Sequence, residues 1–257
     1  MLTKVVYAMS DDIKDFELQC TNEIKAMKQD STLREKSIDY LNRVGEHKYS
    51  YHFKWMGLPI IQFPQDIVAM QEIIWDIKPD FIVETGVARG GSIVFYASML
   101  ELLHGERNKK VIGIDIGIRA HNRKRIENHA MYKNICLIEG SSTDSDVIVQ
   151  IDEIIAKHGL KKGLVILDSM HTHDHVLHEL RCYNKYVNKD SYLVVFDTVI
   201  EYMPEESIGN RPWGKGNSPK TAVDVFLKEN DRFIIDEDID SKLLITTNPS
   251  GYLRCVK

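Results

Sequence analysis

At 257 residues, with 43% apolar and 28% charged side chains, the chain has the composition of an ordinary globular protein and the length for one large domain or a domain with a helical extension. Its 33 Lys and Arg against 38 Asp and Glu give a formal net charge of −5 with both signs interspersed, which argues against the basic face of a nucleic-acid binder. No run approaches the roughly 18 apolar residues of a membrane helix, and no signal-peptide core follows Met1. The four cysteines (Cys20, Cys136, Cys182, Cys255) lack paired spacing, so reduced thiols in a cytoplasmic protein are expected.

The first 50 residues are polar and helix-prone, with Ile13, Phe16, Cys20, Ile24 and Met27 at helical spacing. They read as a helical cap spanning residues 1–63, which is also available to pack between the subunits of a homo-oligomer. A second helix is predicted over 65–77, opened by Pro64 and Asp66, with Ile67, Val68, Met70, Ile73, Ile74 and Ile77 on one stripe. From residue 80 short apolar runs (81–84, 111–115, 135–139, 164–168, 192–197) alternate with helical stretches (92–103, 119–130, 144–157, 172–186). That alternation indicates βαβ crossovers and a parallel sheet covered on both faces. A helix at 218–230 and runs at 233–235, 243–246 and 252–256 close the chain, with an antiparallel strand among them. The fold class is therefore α/β, a Rossmann-like methyltransferase sheet, mostly parallel and seven-stranded, over residues 64–257.

The first strand runs into Glu84-Thr85-Gly86-Val87-Ala88-Arg89-Gly90-Gly91-Ser92. A carboxylate followed by small residues at every second position (Gly86, Ala88, Gly90) lets a nucleoside-bearing cofactor lie against backbone. A pyrophosphate favours bare N–H groups at a helix start, whereas S-adenosylmethionine, with its sulfonium and amino groups, favours a nearby acid. A tight βα turn without a ligand is the plainer alternative.

All five parallel-strand candidates end in a carboxylate: Glu84, Asp115, Glu139, Asp168 and Asp197. Ligands of open α/β sheets sit at the carboxyl ends of the strands, so the five acids are expected on one rim, neutralised by cationic ligands. Asp115 suits a ribose diol, or else caps the next helix. Gly140, Ser141 and Ser142 suit the adenine, or else a serine caps the helix that follows. Asp168 and Asp197, with Thr198, offer hard oxygens to Mg²⁺, which would hold an acceptor hydroxyl and lower its pKa. In His171-Thr172-His173-Asp174-His175, His171 is nearest the strand end and is the candidate general base. His173, His175 and His178 fit partly exposed helix positions. The long segment 201–217 reads as a lid or acceptor pocket. Within it Trp213 is placed to stack on a sugar or to anchor the loop, and Arg211 and Lys215 suit an anionic acceptor.

Trp55-Met56-Gly57-Leu58-Pro59-Ile60, Pro64-Gln65-Asp66, the 84–92 segment, Gly140-Ser141-Ser142, Leu167-Asp168-Ser169, His175-Val176-Leu177-His178-Glu179-Leu180 and Gly251-Tyr252-Leu253, in that order, resemble the cephalosporin hydroxylase family over roughly residues 51–257. Its members look like S-adenosylmethionine-dependent O-methyltransferases of antibiotic and glycan pathways. The resemblance implies that Glu84, Gly86 and Ser92 surround the methionine part of the cofactor, that Asp115 meets its ribose, and that Asp168 and Asp197 hold magnesium. Two positions depart from it: Met170 and Phe196 stand where the family tends to carry acids. A nicotinamide-dependent oxidoreductase is one alternative, although Ala88 interrupts the GxGxxG fingerprint. A cofactor-binding relative without activity is another.

Overall fold

The computed structural model describes residues 11–105 and 108–257, so the opening stretch read for a signal peptide lies outside the described residues. Two helices come first, α1 (Asp11–Gln29) and α2 (Ser31–Gly45). Asp30 separates them and caps α2, accepting from the backbone N–H groups of Thr32 and Leu33. α1 forms where the helical spacing places it, but its stripe does not enter a core: none of its residues is buried, and Ile13 and Phe16 are exposed. A hairpin of β1 (Lys54–Trp55) and β2 (Leu58–Pro59) follows. It buries Leu58, and the indole N–H of Trp55 donates to the Ser98 hydroxyl at 3.0 Å. Helix α3 (Pro64–Ile77) opens on its proline and buries Met70, Ile73, Ile74 and Ile77. Val68, expected on that stripe, is exposed instead.

The alternating half runs β3 (Phe81–Thr85), α4 (Gly91–His104), β4 (Lys110–Asp115), α5 (Ala120–Glu127), β5 (Ile135–Glu139), α6 (Ser145–His158), β6 (Gly163–Leu167), α7 (His173–Tyr183) and β7 (Tyr192–Val195). The short α8 (Glu205–Ile208), α9 (Pro219–Glu229), β8 (Phe233–Ile235), α10 (Glu237–Lys242) and β9 (Tyr252–Cys255) complete it. The seven-stranded sheet has the order β5-β4-β3-β6-β7-β9-β8, with β9 antiparallel to both of its neighbours. The expected strand at 243–246 does not form. There the Thr246 and Thr247 side chains and the Thr247 N–H bond a buried carboxylate, Asp66, and the segment joins no ladder.

Alternate residues of each central strand feed opposite layers. Ile82 joins Met70, Ile74, Val94 and Phe95 beneath α3 and α4, whereas Val83 joins Ile151, Leu180, Tyr183 and Phe226 beneath α6, α7 and α9. Both faces are covered, as a parallel sheet requires. The strands therefore present only their ends to a ligand. Thr85 pairs in register with Ile114 and Leu167, so β3, β4 and β6 finish together.

Candidate active site

A cavity of about 700 Å³ opens at the carboxyl end of the sheet, within the roughly 300–1,000 Å³ usual for small-molecule sites. Gly86 to Ser92 line one side, Asp168, His171 and Asp197 another, and α2 with the segment around Tyr49–His52 and Val199 to Arg211 the far wall.

The β3–α4 turn is left-handed at Gly86 (φ 92°), Ala88 (φ 46°) and Gly90 (φ 83°). At Gly86 a side chain is impossible for a further reason: a Cβ would stand 2.0 Å from the Asp168 carbonyl oxygen. The two loops of the rim thus touch through a bare backbone. Glu84 is fully buried at the strand end, where its Oε2 accepts from the Ser92 hydroxyl at 2.9 Å and its Oε1 has no partner. Burial pushes its carboxyl up to about 8; the Ser92 bond opposes this and Asp115 adds to it. An unpartnered acid oxygen of this kind suits an ammonium group such as that of S-adenosylmethionine, although Glu84 itself lies behind the turn and does not line the cavity. Asp115 accepts from the N–H groups of Val87 (3.0 Å) and Ala88 (3.1 Å) on one oxygen and of Gly117 (3.0 Å) on the other. It buttresses the turn, and it does not cap a helix, since α5 begins at Ala120. Ser142 does not cap α6 either, because that N-cap is Asp144. Gly140 packs on Val147, Ser141 bonds Thr143, and neither they nor Ser142 and Asp115 line the cavity.

Opposite the turn, ligand atoms of Asp168, His171 and Asp197 lie within 4.8 Å of one another. His171 Nε2 is 3.2 Å from Asp197 Oδ2, and its ring stands edge-on to Trp213 at 4.9 Å. Removal from water, and then the charges of Asp197 and Glu84, hold the Asp168 carboxyl well above the ordinary range. Carboxylates crowded in this way fit a bound cation, whose charge would relieve them. Two oxygen donors suit Mg²⁺, and the imidazole extends the set toward other divalent ions.

The structure corrects three expectations. Thr198 is not a ligand: it is fully buried and its hydroxyl donates to the Pro249 carbonyl at 2.7 Å. Glu139 leaves the rim, since β5 is the edge strand and Arg123 binds its carboxylate at 2.8 Å. Lys215 does not line the cavity, although Arg211 does. Of the two departing positions, Phe196 is buried in the core and Met170 is exposed. Some contacts between marked residues have no signal in the sequence. His175 Nε2 sits 3.1 Å from the Ser142 hydroxyl and 3.2 Å from that of Ser169, which itself donates to the buried Glu179. Asp66, marked in the sequence as a helix opening and as part of a family motif, is a buried acceptor for the loop before β9 and for Tyr252 of β9.

The sequence matches the rhamnosyl O-methyltransferase/CmcI family over residues 47–256. The chain belongs to that family. The rhamnosyl O-methyltransferase of Mycobacterium tuberculosis (strain ATCC 25618 / H37Rv) is 28% identical over 216 residues, covering 80% of this chain and 82% of the relative. That of Mycobacterium leprae (strain TN) is 29% identical over 150 residues, covering 58% and 62%. Among solved structures, CmcI with Mg and SAM superposes with a TM-score of 0.53 at 19% identity, covering 80% of this chain and 78% of that one. The O-methyltransferase NovP gives 0.50 at 14% identity, covering 75% and 80%. The fold is thus the Rossmann-like methyltransferase fold, and family membership makes the chain a methyltransferase and not a nicotinamide enzyme. Among the described residues no helix is long and apolar enough to cross a membrane.

Proposed function

We propose that this protein methylates a hydroxyl of a sugar or sugar-bearing small molecule, a glycan or antibiotic precursor, in the cytoplasm and without a nucleic-acid or membrane partner. The observation that carries the reading is that the glycine turn and the Asp168–His171–Asp197 cluster line one cavity. When bound, S-adenosylmethionine supplies an electrophilic methyl group and Mg²⁺ supplies positive charge beside the acceptor oxygen.

The chain's own residues do the rest. Glu84, fixed by Ser92, binds the ammonium group, and Gly86, Ala88, Gly90 and Asp168 border the methionine part. Asp115, keeping its loop N–H bonds, would meet the ribose, and Gly140, Ser141 and Ser142, which follow the neighbouring strand end, would meet the adenine along the rim beyond the cavity. Asp168 and Asp197 hold the cation. His171, oriented by Asp197 and Trp213, takes the acceptor proton. The acceptor lies toward Tyr49, Tyr51 and Phe63, which give an apolar wall for a sugar ring. Holding both reactants in line supplies much of the rate. Residues 1–63, of which 11–63 are described, are assigned as the cap on the methyltransferase domain of 64–257.

The test is incubation with S-adenosylmethionine and a panel of rhamnosides and related sugars, with and without chelator, read by mass. A gain of one methyl with matching S-adenosylhomocysteine supports the reading. Absence of cofactor binding in calorimetry sinks it.

A further inference from the structure

Asp66 has no exposed surface and does not line the cavity, yet its bonds lead to Asp197. Its Oδ1 accepts from the hydroxyls of Thr246 and of Tyr252 (2.9 Å), and its Oδ2 from the Thr247 N–H (3.0 Å) and hydroxyl (3.2 Å). Those groups hold Asn248, which is also fully buried. The Asn248 N–H donates to the Thr246 hydroxyl oxygen at 2.9 Å, and its amide donates to the Tyr252 oxygen at 3.2 Å. Asn248 Oδ1 in turn accepts the Asp197 N–H at 3.1 Å. On either side, Val199 N–H reaches the Thr247 carbonyl at 3.0 Å and the Thr198 hydroxyl reaches Pro249.

Asp197 needs this support. Its backbone is left-handed (φ 56°, ψ 25°), a conformation that brings the Cβ of an L-residue against the following carbonyl oxygen. Such a conformation persists only where the surroundings over-determine it. Here the 246–249 segment grips Asp197, Thr198 and Val199 in succession, and Asp66 grips the segment.

We propose that Asp66 and Asn248 are positioning residues for the metal site, holding Asp197 in the left-handed turn that sets its carboxylate beside Asp168 and His171. The inference rests on the reading that Asp197 helps hold a cation, and it adds that α3 and the chain's last loop tune the affinity of that site. Outer partners of metal ligands typically contribute about 10- to 100-fold in affinity.

The experiment uses the full-length protein and Mn²⁺ as the probe, counted by the paramagnetic resonance of the free ion, with S-adenosylhomocysteine affinity measured in parallel by calorimetry. Asn248→Ala and Asp66→Asn are expected to weaken Mn²⁺ by about tenfold or more, with cofactor affinity unchanged within about twofold. Tyr252→Phe, which keeps the ring in the core, is expected to give a smaller loss in the same direction and covers the case in which Asp66→Asn does not fold. Equal Mn²⁺ affinity in Asn248→Ala and Tyr252→Phe, or a parallel loss of cofactor binding, overturns the inference while leaving the metal site intact. If the wild type shows no Mn²⁺ site that Asp197→Ala removes, the reading of the site itself fails first.

Discussion

The two sides of the cavity are built differently. On the β3 side, the turn, the buried acid and its hydroxyl partner all fall within residues 84–92, and Asp115 adds one contact from the next strand. On the β6–β7 side the same-sized task takes Asp168 and His171 from one loop, Asp197 from another, Trp213 from a third, and Asn248 with Asp66 behind them. The near side is a motif, whereas the far side is an assembly that exists only once the chain has folded. The near side should therefore fail one residue at a time, with effects confined to cofactor binding. The far side should fail in catalysis, with cofactor binding spared.

Asp168→Asn gives the largest effect. It removes a charge from the cation cluster while leaving the backbone contact at Gly86 in place. We expect kcat/KM to fall by about 10²–10³-fold, the scale of losing one electrostatic group at a reacting centre, with S-adenosylhomocysteine affinity changed by no more than about threefold. A comparable collapse of cofactor binding would erase the distinction between the two sides.

Glu84→Gln is the matching test of the near side. Loss of a buried, hydrogen-bonded charge partner costs about 2–5 kcal/mol, so S-adenosylmethionine affinity should weaken by at least about 30-fold while kcat at saturation is little changed. The same residue sets a pH dependence. Its carboxyl titrates at 4.5 in an unperturbed setting and about 8 in the folded chain, so the unliganded protein holds a proton that the unfolded chain gives up. Unliganded stability should fall as pH rises from about 4.5 to about 8, by a total on the order of a few kcal/mol at about 1.4 kcal/mol per unit. Cofactor binding requires the carboxylate, so affinity should drop roughly tenfold per pH unit below 8 with uptake of cofactor releasing one proton. Calorimetry in buffers of different ionisation enthalpy counts that proton, and Glu84→Gln should abolish it.

The same contrast explains what was legible in the sequence. Glu84, Gly86 and the acids at the ends of β3, β4, β6 and β7 were readable because strand ends and tight turns are local events. Adjacency to Asp197 gives Thr198 the look of a shared ligand, but the left-handed turn at Asp197 accompanies a Thr198 hydroxyl committed to Pro249. Residues 243–246 carry a strand-like apolar run, but at its start the Leu243 N–H closes α10 on the Ile239 carbonyl, and just past its end the Thr247 N–H and carbonyl are taken by Asp66 and by Val199, so the backbone on both sides is committed away from a ladder. Glu139 looks like the other terminal acids, and only its place on the edge strand beside Arg123 removes it from the site. His175 sits in a run of three histidines, and nothing in that spacing shows that Ser142 and Ser169 meet it.

Trp213 offers the smallest and most discriminating effect on the far side. Its ring stands at 89° to His171, and Arg211 lies over it at 5.7 Å, so it packs against the imidazole that Asp197 bonds through Nε2. An aromatic pair of this geometry contributes about 0.5–1.5 kcal/mol. Trp213→Ala should accordingly lower kcat by about threefold to tenfold without moving cofactor affinity. The indole N–H is buried without an acceptor, which is itself unfavourable. Trp213→Phe keeps an edge for His171 and removes that donor, so it should retain most of the activity and unfold at a temperature no lower than the wild type. If the phenylalanine variant is as slow as the alanine one, the indole N–H is serving the acceptor directly, and Trp213 belongs to substrate binding and not to the support of His171.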